Sequence, residues 1–204
     1  LAEQPLLAFA SIKLGTFGDL ATAKGSLRHN GNVLAIEGVE GDHDAGTMSV
    51  EEAREALEVA GLAGLIYTTP SHRPDKPRWR VLCPLSRSHS AAERERLCAR
   101  LNGALEGALQ GESFTLSQTY FYGRVEGGGV PDVALSDGKA LDLADELDAG
   151  ALGKDGTPYR SHAAAPEPVE DDDELPHVPD WEKLESALPH ISPDDYWTWI
   201  KVGQ

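Results

Sequence analysis

Asp42 and Asp44 stand one residue apart in the stretch Gly41-Asp42-His43-Asp44-Ala45-Gly46. In an extended chain, residues two apart project to the same face, within about 7 Å of one another. Two carboxylates so placed suit a hard divalent cation, Mg2+ or Mn2+. They can hold one ion or bridge a pair about 3.5–4 Å apart, as nucleotidyl transfer requires. Metal-dependent sugar transferases use the same triplet, and an acidic strand end is also an ordinary solvated turn, so the pair alone leaves the chemistry open. His72, in Pro70-Ser71-His72, lies in a polar connection between two strand candidates, where a histidine faces a cleft more readily than a core. Arg78-Trp79-Arg80-Val81, read as a strand, sends Arg78 and Arg80 to one face and Trp79 and Val81 to the other. Two guanidiniums on one face form a phosphate clamp to which His72 can add a donor. The alternative is an exposed face balanced by Glu93 and Glu95. Lys24, Ser26 and Arg28 repeat the alternating spacing upstream, and Arg124 follows Tyr120-Phe121-Tyr122. Bases interleaved with aromatics can support a single strand or a stacked base, although such tyrosines are often half-buried sheet residues.

The elements that must position these groups are legible as patterns. Asn32 to Val39 is short, apolar and rich in branched residues, and reads as a strand running into the acidic pair. Ser49 with Glu52 has the form of a capping box, and Val50, Ala53, Ala56, Leu57 and Ala60 follow at helical spacing, which predicts a helix over about 50–60. Leu65–Thr69, stopped by Pro70, and Trp79–Leu82, stopped by Pro84, are two more strands. Ser90 and Glu93 repeat the capping pattern, and Leu97, Leu101, Leu105 and Leu109 predict a helix of about 18 residues ending near Gly111. Tyr120–Tyr122 is a further strand, and Val133–Leu135 with Ala140–Leu143 around Asp137-Gly138 predicts a hairpin. The order, with its short strand-to-strand link at 70–78, predicts an α+β fold: a mixed, mostly antiparallel sheet core flanked by helices.

Composition bounds the rest. With 204 residues, one core of about 1–150 is expected, then an acidic Pro/Gly/Ala-rich linker over 151–180 containing Glu170–Glu174. Residues 181–204, with Trp181, Trp197 and Trp199, read as the start of a small helical domain. The chain begins at Leu1 rather than Met and ends at Gln204 inside a helical pattern, so it is expected to be part of something longer. No apolar run approaches the length of a membrane span and no signal-peptide pattern opens the chain, so a soluble cytoplasmic protein is expected. Two cysteines, Cys83 and Cys98, are too few for a disulfide framework and read as small core residues. The net charge is −16, which repels nucleic acid at long range. The distribution softens this, because residues 71–100 carry eight bases against three acids. No P-loop, no Gly-x-Ser-x-Gly elbow and no zinc-type His/Cys cluster occurs in the chain.

Taken together, a strand leading to Asp42 and Asp44, a helix, a strand followed by Ser71 and His72, and then Pro77-Arg78-Trp79-Arg80-Val81-Leu82 resemble the archaeo-eukaryotic primase (AEP) superfamily. The likeness is to its phage and plasmid branch, where a primase-polymerase (prim-pol) domain precedes a helicase, and it covers most of residues 24–145. It implies an RRM-like catalytic core in which Asp42, Asp44 and His72 are catalytic and Asp42 and Asp44 bind metal with a third acid. Glu112 is preferred for that third acid, and Asp132 is the other candidate. Ser71, His72, Arg78 and Arg80 would hold the nucleotide's phosphates, and Lys24, Arg28, Tyr120, Tyr122 and Arg124 are candidate DNA or nucleotide contacts. The implied activity is template-directed nucleotidyl transfer from NTPs or dNTPs on single-stranded DNA, using Mg2+ or Mn2+, with a helicase domain elsewhere on the same chain and no membrane. Two alternatives stand beside it. One is a noncatalytic, degenerate core that docks DNA or a helicase; the other is a metal-dependent phosphodiesterase or sugar-nucleotide transferase built on the same Asp-x-Asp.

Overall fold

Residues 11–123 and 130–160 are described in the computed structural model. The apolar run at 33–39 does form a strand, but β3 (Val33–His43) continues through Gly41 and Asp42 instead of ending before them. It can do so because β5 (Trp79–Ser90) pairs with it antiparallel to its last residue, with Glu40 opposite Leu82, Asp42 opposite Arg80 and His43 opposite Trp79. Pro84 does not stop β5. It sits opposite Gly38, beside a register shift in β3, and an irregularity of this kind is where a strand accommodates proline. β4 (Gly64–Thr68) pairs antiparallel with β5, and β7 (Val133–Ser136) with β4. With β2 (Gly15–Phe17) on the far side, the sheet runs β2-β3-β5-β4-β7, while β1 (Ser11–Ile12) and β6 (Tyr120–Phe121) form a separate two-stranded ribbon. The expected α+β architecture, an antiparallel sheet core flanked by helices, is what the chain adopts.

One face of the sheet carries the core. Val39, Ile66, Trp79, Val81 and Cys83 pack with Ala53 and Leu57 of α1 (Val50–Val59) and with Leu97, Cys98 and Leu101 of α2 (Arg94–Ala104). Helix α1 starts where its capping box says, with Ser49 Oγ accepting from the Glu52 amide and Glu52 accepting from the Ser49 amide. Cys83 and Cys98 are both buried and unpaired by disulfide, and burial pushes the Cys83 thiol up to about 12.

Two expectations fail locally. Helix α2 is 11 residues long rather than about 18, and Ser90 makes no side-chain cap. The chain turns at Glu106 and Gly107, both at positive φ, and Asn102 holds the turn by accepting from the Leu109 amide. Leu105 and Leu109 are buried all the same, delivered by the turn and not by a helix face. The hairpin at 137–138 is also absent: residues 141–143 form a 3-10 turn, and Lys139 bridges to Leu62 in parallel fashion. β7 takes β4 as its partner. The packed chain runs past 150, because the Leu152 amide bonds Ala99 O and the Tyr159 amide bonds Ala151 O. The remainder of the expected linker and the segment 181–204 lie outside the described residues. Among the described residues no helix is long and apolar enough to cross a membrane.

Candidate functional site

The alternation of β3 decides which side chains leave the core. Val39 and His43 point to the helices, and Gly41 lies on the same side, where an added Cβ would sit 2.8 Å from Leu109 Cδ2 and 3.2 Å from Val81 Cγ1. The residue before Asp42 is therefore small because Leu109 packs onto it. His43 is fully buried and stacked on Trp79 with ring centroids 4.8 Å apart. Its Nδ1 lies 2.7 Å from Ala108 O, and its Nε2 is 3.2 Å from the amides of both Thr47 and Met48. Two amides donate to Nε2, so the ring is neutral with its proton on Nδ1. His43 thus ties the loop after Asp44 to the core.

Glu40, Asp42 and Asp44 take the opposite face, and each meets a cation. Glu40, fully buried, is paired with Lys13 and lies 3.5 Å from Arg94. Asp42 Oδ1 accepts from Arg80 Nε at 2.8 Å. Asp44 Oδ1 is 2.9 Å from Arg78 Nε, but off the line of the N–H, so this is an ion pair and not a hydrogen bond. Arg80 also donates to Phe121 O and lies 5.2 Å from the centre of the Tyr120 ring. Burial pushes the Asp42 carboxyl above the usual aspartate range; Arg80 pulls it back down, and the charges of Asp44 and Glu112 add to the rise.

Arg78 joins the third stretch of chain to the other two. Its Nη1 is 3.2 Å from Ser71 Oγ, and its amide donates to His72 Nδ1 at 3.1 Å. Neutral His72 therefore carries its proton on Nε2 and offers that N–H as a donor. Ser71 and His72 are consecutive, whereas the superfamily's second motif has one residue between serine and histidine, so the likeness is looser here than at the acidic pair.

The remaining candidates are scattered. Glu112, exposed on the 3-10 turn 111–114, is near enough to act on the charge of Asp42. Asp132 lies beside Thr68, whose Oγ1 accepts from its amide, and β7 is three strand spacings from β3, about 14 Å. Lys24 is exposed in the loop before β3, and Arg28 donates to Thr119 Oγ1 at 3.0 Å. Tyr122 is half-buried, while Tyr120 is 4% exposed, which leaves little of its ring for a base to stack on. Arg124 lies outside the described residues. Among the described residues, no three His, Cys, Asp or Glu side chains are grouped as a ready metal site.

Sequence reasoning passed over Lys13, Glu40, His43, Arg94 and Ser113. Only period-two alternation could have flagged Glu40 as a neighbour of Asp42 on the same face; the others depend on contacts between distant segments.

No protein-family model matches the chain, and no curated protein does. Among solved structures, it is similar to the AEP domain of the cyanophage S-2L primase-polymerase (PrimPol), at 14% identity over 67% of this chain and 68% of that one, with a TM-score of 0.44. A likeness this loose does not decide between activities.

Proposed function

We propose that the chain is a primase-polymerase core of the archaeo-eukaryotic primase type, which transfers nucleotides from NTPs or dNTPs onto a growing strand along a single-stranded DNA template. One observation carries this reading: Arg78 links Asp44 on the β3 side to Ser71 and His72 in the β4–β5 loop, while Asp42 and Arg80 lie paired on the same sheet face. Carboxylates for a cation and N–H donors for phosphate thus lie side by side at one end of the sheet.

The donor set suits a hard cation, since Asp42, Asp44 and Glu112 offer only carboxylate oxygens and the charges of Asp44 and Glu112 both bear on Asp42. Bound there, Mg2+ or Mn2+ would activate a 3′-hydroxyl and stabilise the departing pyrophosphate. The chain's own residues do the positioning. His72 Nε2–H and the guanidiniums of Arg78 and Arg80 are donors for the triphosphate, and Arg80 can turn to it only by loosening from Asp42. A helicase partner is part of the same proposal.

The test is incorporation. The full chain is incubated with single-stranded template, labelled nucleotides and Mn2+ or Mg2+, and products are sized on a denaturing gel. Extension is expected, and Asp42→Asn with Asp44→Asn should reduce it at least 1,000-fold, as loss of a metal platform would, on the order of 4 kcal/mol in barrier. Cleavage of the template or release of sugar instead of extension would refute the reading. A second reading, a noncatalytic docking core, is favoured by the arginine pairing of both acids; template affinity without incorporation would establish it.

A further inference from the structure

Beyond Gly38, whose amide and that of Glu37 bond Leu14 O, the outer edge of β3 has no strand neighbour among the described residues. An open edge leaves backbone groups seeking partners. Among the described residues, those at Glu40 and Asp42 are met by groups from α2 and the turn after it. Glu40 O accepts from Arg94 Nη2 at 2.9 Å, Asp42 O from the Gln110 amide at 2.8 Å, and the Asp42 amide donates to Ser113 Oγ at 3.0 Å. Ser113 is fully buried, and its carbonyl accepts from Arg94 Nη2 at 2.9 Å and from Cys98 Sγ at 3.3 Å, so the turn is clamped to α2.

The Ser113 hydroxyl has a second contact, from Tyr120 OH at 3.3 Å. The Tyr120 ring in turn lies 5.2 Å from the guanidinium carbon of Arg80, and Arg80 holds the Asp42 carboxylate. The contacts close a ring from Asp42 main chain to Ser113, to Tyr120, to Arg80, and back to the Asp42 side chain. We infer that Ser113 and Tyr120 are positioning residues for Asp42, fixing its main chain through the hydroxyl and its carboxylate through Arg80. The inference rests on the proposed nucleotidyl transfer for its catalytic meaning, but not for its structural content.

A positioning hydrogen bond is worth about tenfold in rate when the group it holds must be aligned to well under 1 Å. Ser113→Ala should lower kcat about tenfold with the nucleotide KM within about twofold, since the phosphate donors are untouched. Tyr120→Phe keeps the ring under Arg80 and loses only the hydroxyl contact, so its kcat should fall less, by about threefold. In parallel, NMR hydrogen exchange should show the Asp42 amide exchanging about tenfold faster in Ser113→Ala, with the Ile66 amide unchanged. Unaltered kcat in both variants, or exchange at Ile66 rising as much as at Asp42, would overturn the inference. If Asp42→Asn itself left incorporation intact, the functional reading would fall instead. The Asp42 amide would then still decide: faster exchange in Ser113→Ala upholds the positioning role, and unchanged protection removes it.

Discussion

Arg94→Met tests whether the buried ladder beneath the site is held by its guanidinium. The Arg94 side chain is 2% exposed and the Glu40 side chain fully buried. Methionine fills much of the arginine stem's space, so the loss comes from interactions and not from a cavity. Two buried carbonyls would lose a charged donor: Glu40 O would be stranded, at about 1–3 kcal/mol, while Ser113 O would keep only the weak Cys98 Sγ contact. Glu40 would keep Lys13, whose ammonium is pushed below its ordinary range by burial, against the pull of Glu40, and further by the charge of Arg94 itself. Removing one member of such a buried set typically costs about 3–5 kcal/mol. Against this, Arg94 Nε and Nη1 are buried without hydrogen-bond partners among the described residues, and deleting them relieves that dehydration. The net expectation is a loss of about 3 kcal/mol, a large share of a typical domain's 5–15 kcal/mol. Urea unfolding at pH 7, followed by far-UV circular dichroism, measures it. Lys13→Met should cost less than Arg94→Met. A loss below about 1 kcal/mol for Arg94→Met, or an equal loss for the two variants, would refute the reasoning.

Three further outcomes follow. Gly41→Val should destabilise by about 1–3 kcal/mol in the same urea assay, because its side chain would enter space held by Leu109 and Val81. Asp142 is half-buried, which alone would raise its carboxyl, yet hydrogen bonds from Ser86 and His89 outweigh this and hold it at about 2. Its contribution is therefore present above about pH 4 and is lost as pH falls towards 2; Asp142→Asn should flatten stability against pH in that window and cost about 1–2 kcal/mol at pH 7. Cys83 and Cys98, with thiols raised by burial, should react with a thiol reagent such as DTNB only at the rate of unfolding, so fast labelling of the native chain would contradict their place in the core.

Local signals carried much of the fold. Ser49 and Glu52 marked the start of α1 because a capping box is complete within four residues, and the split of Arg78 and Arg80 from Trp79 and Val81 followed from strand alternation alone. The failures were non-local. Pro84 passes through β5 because Gly38 on another strand takes up the irregularity, and α2 ends early because Asn102 bonds a turn that apolar spacing does not reveal. At the site, alternation placed Asp42 with Asp44, and Arg78 with Arg80, on shared faces of the chain. That Asp42 and Arg80 would be partners depends on the register of β3 against β5, which no local pattern encodes. Arg94 and Ser113 were invisible for a similar reason, since their roles exist only once α2 lies along the edge of β3.

The segment that follows α2 has the look of a surface connector, the kind of place where chains gain and lose residues freely. Here it is bonded to the sheet at Asp42 by Gln110 and Ser113 and packed under Gly41 by Leu109. An extra residue between 105 and 113 would therefore shift the acid itself, whereas one at the exposed tip Pro74-Asp75 would lengthen a turn already closed by Arg73 and Lys76. Variation in length within chains of this architecture should collect at that tip and spare the 105–113 stretch, and a peptide inserted for labelling or fusion belongs at the former.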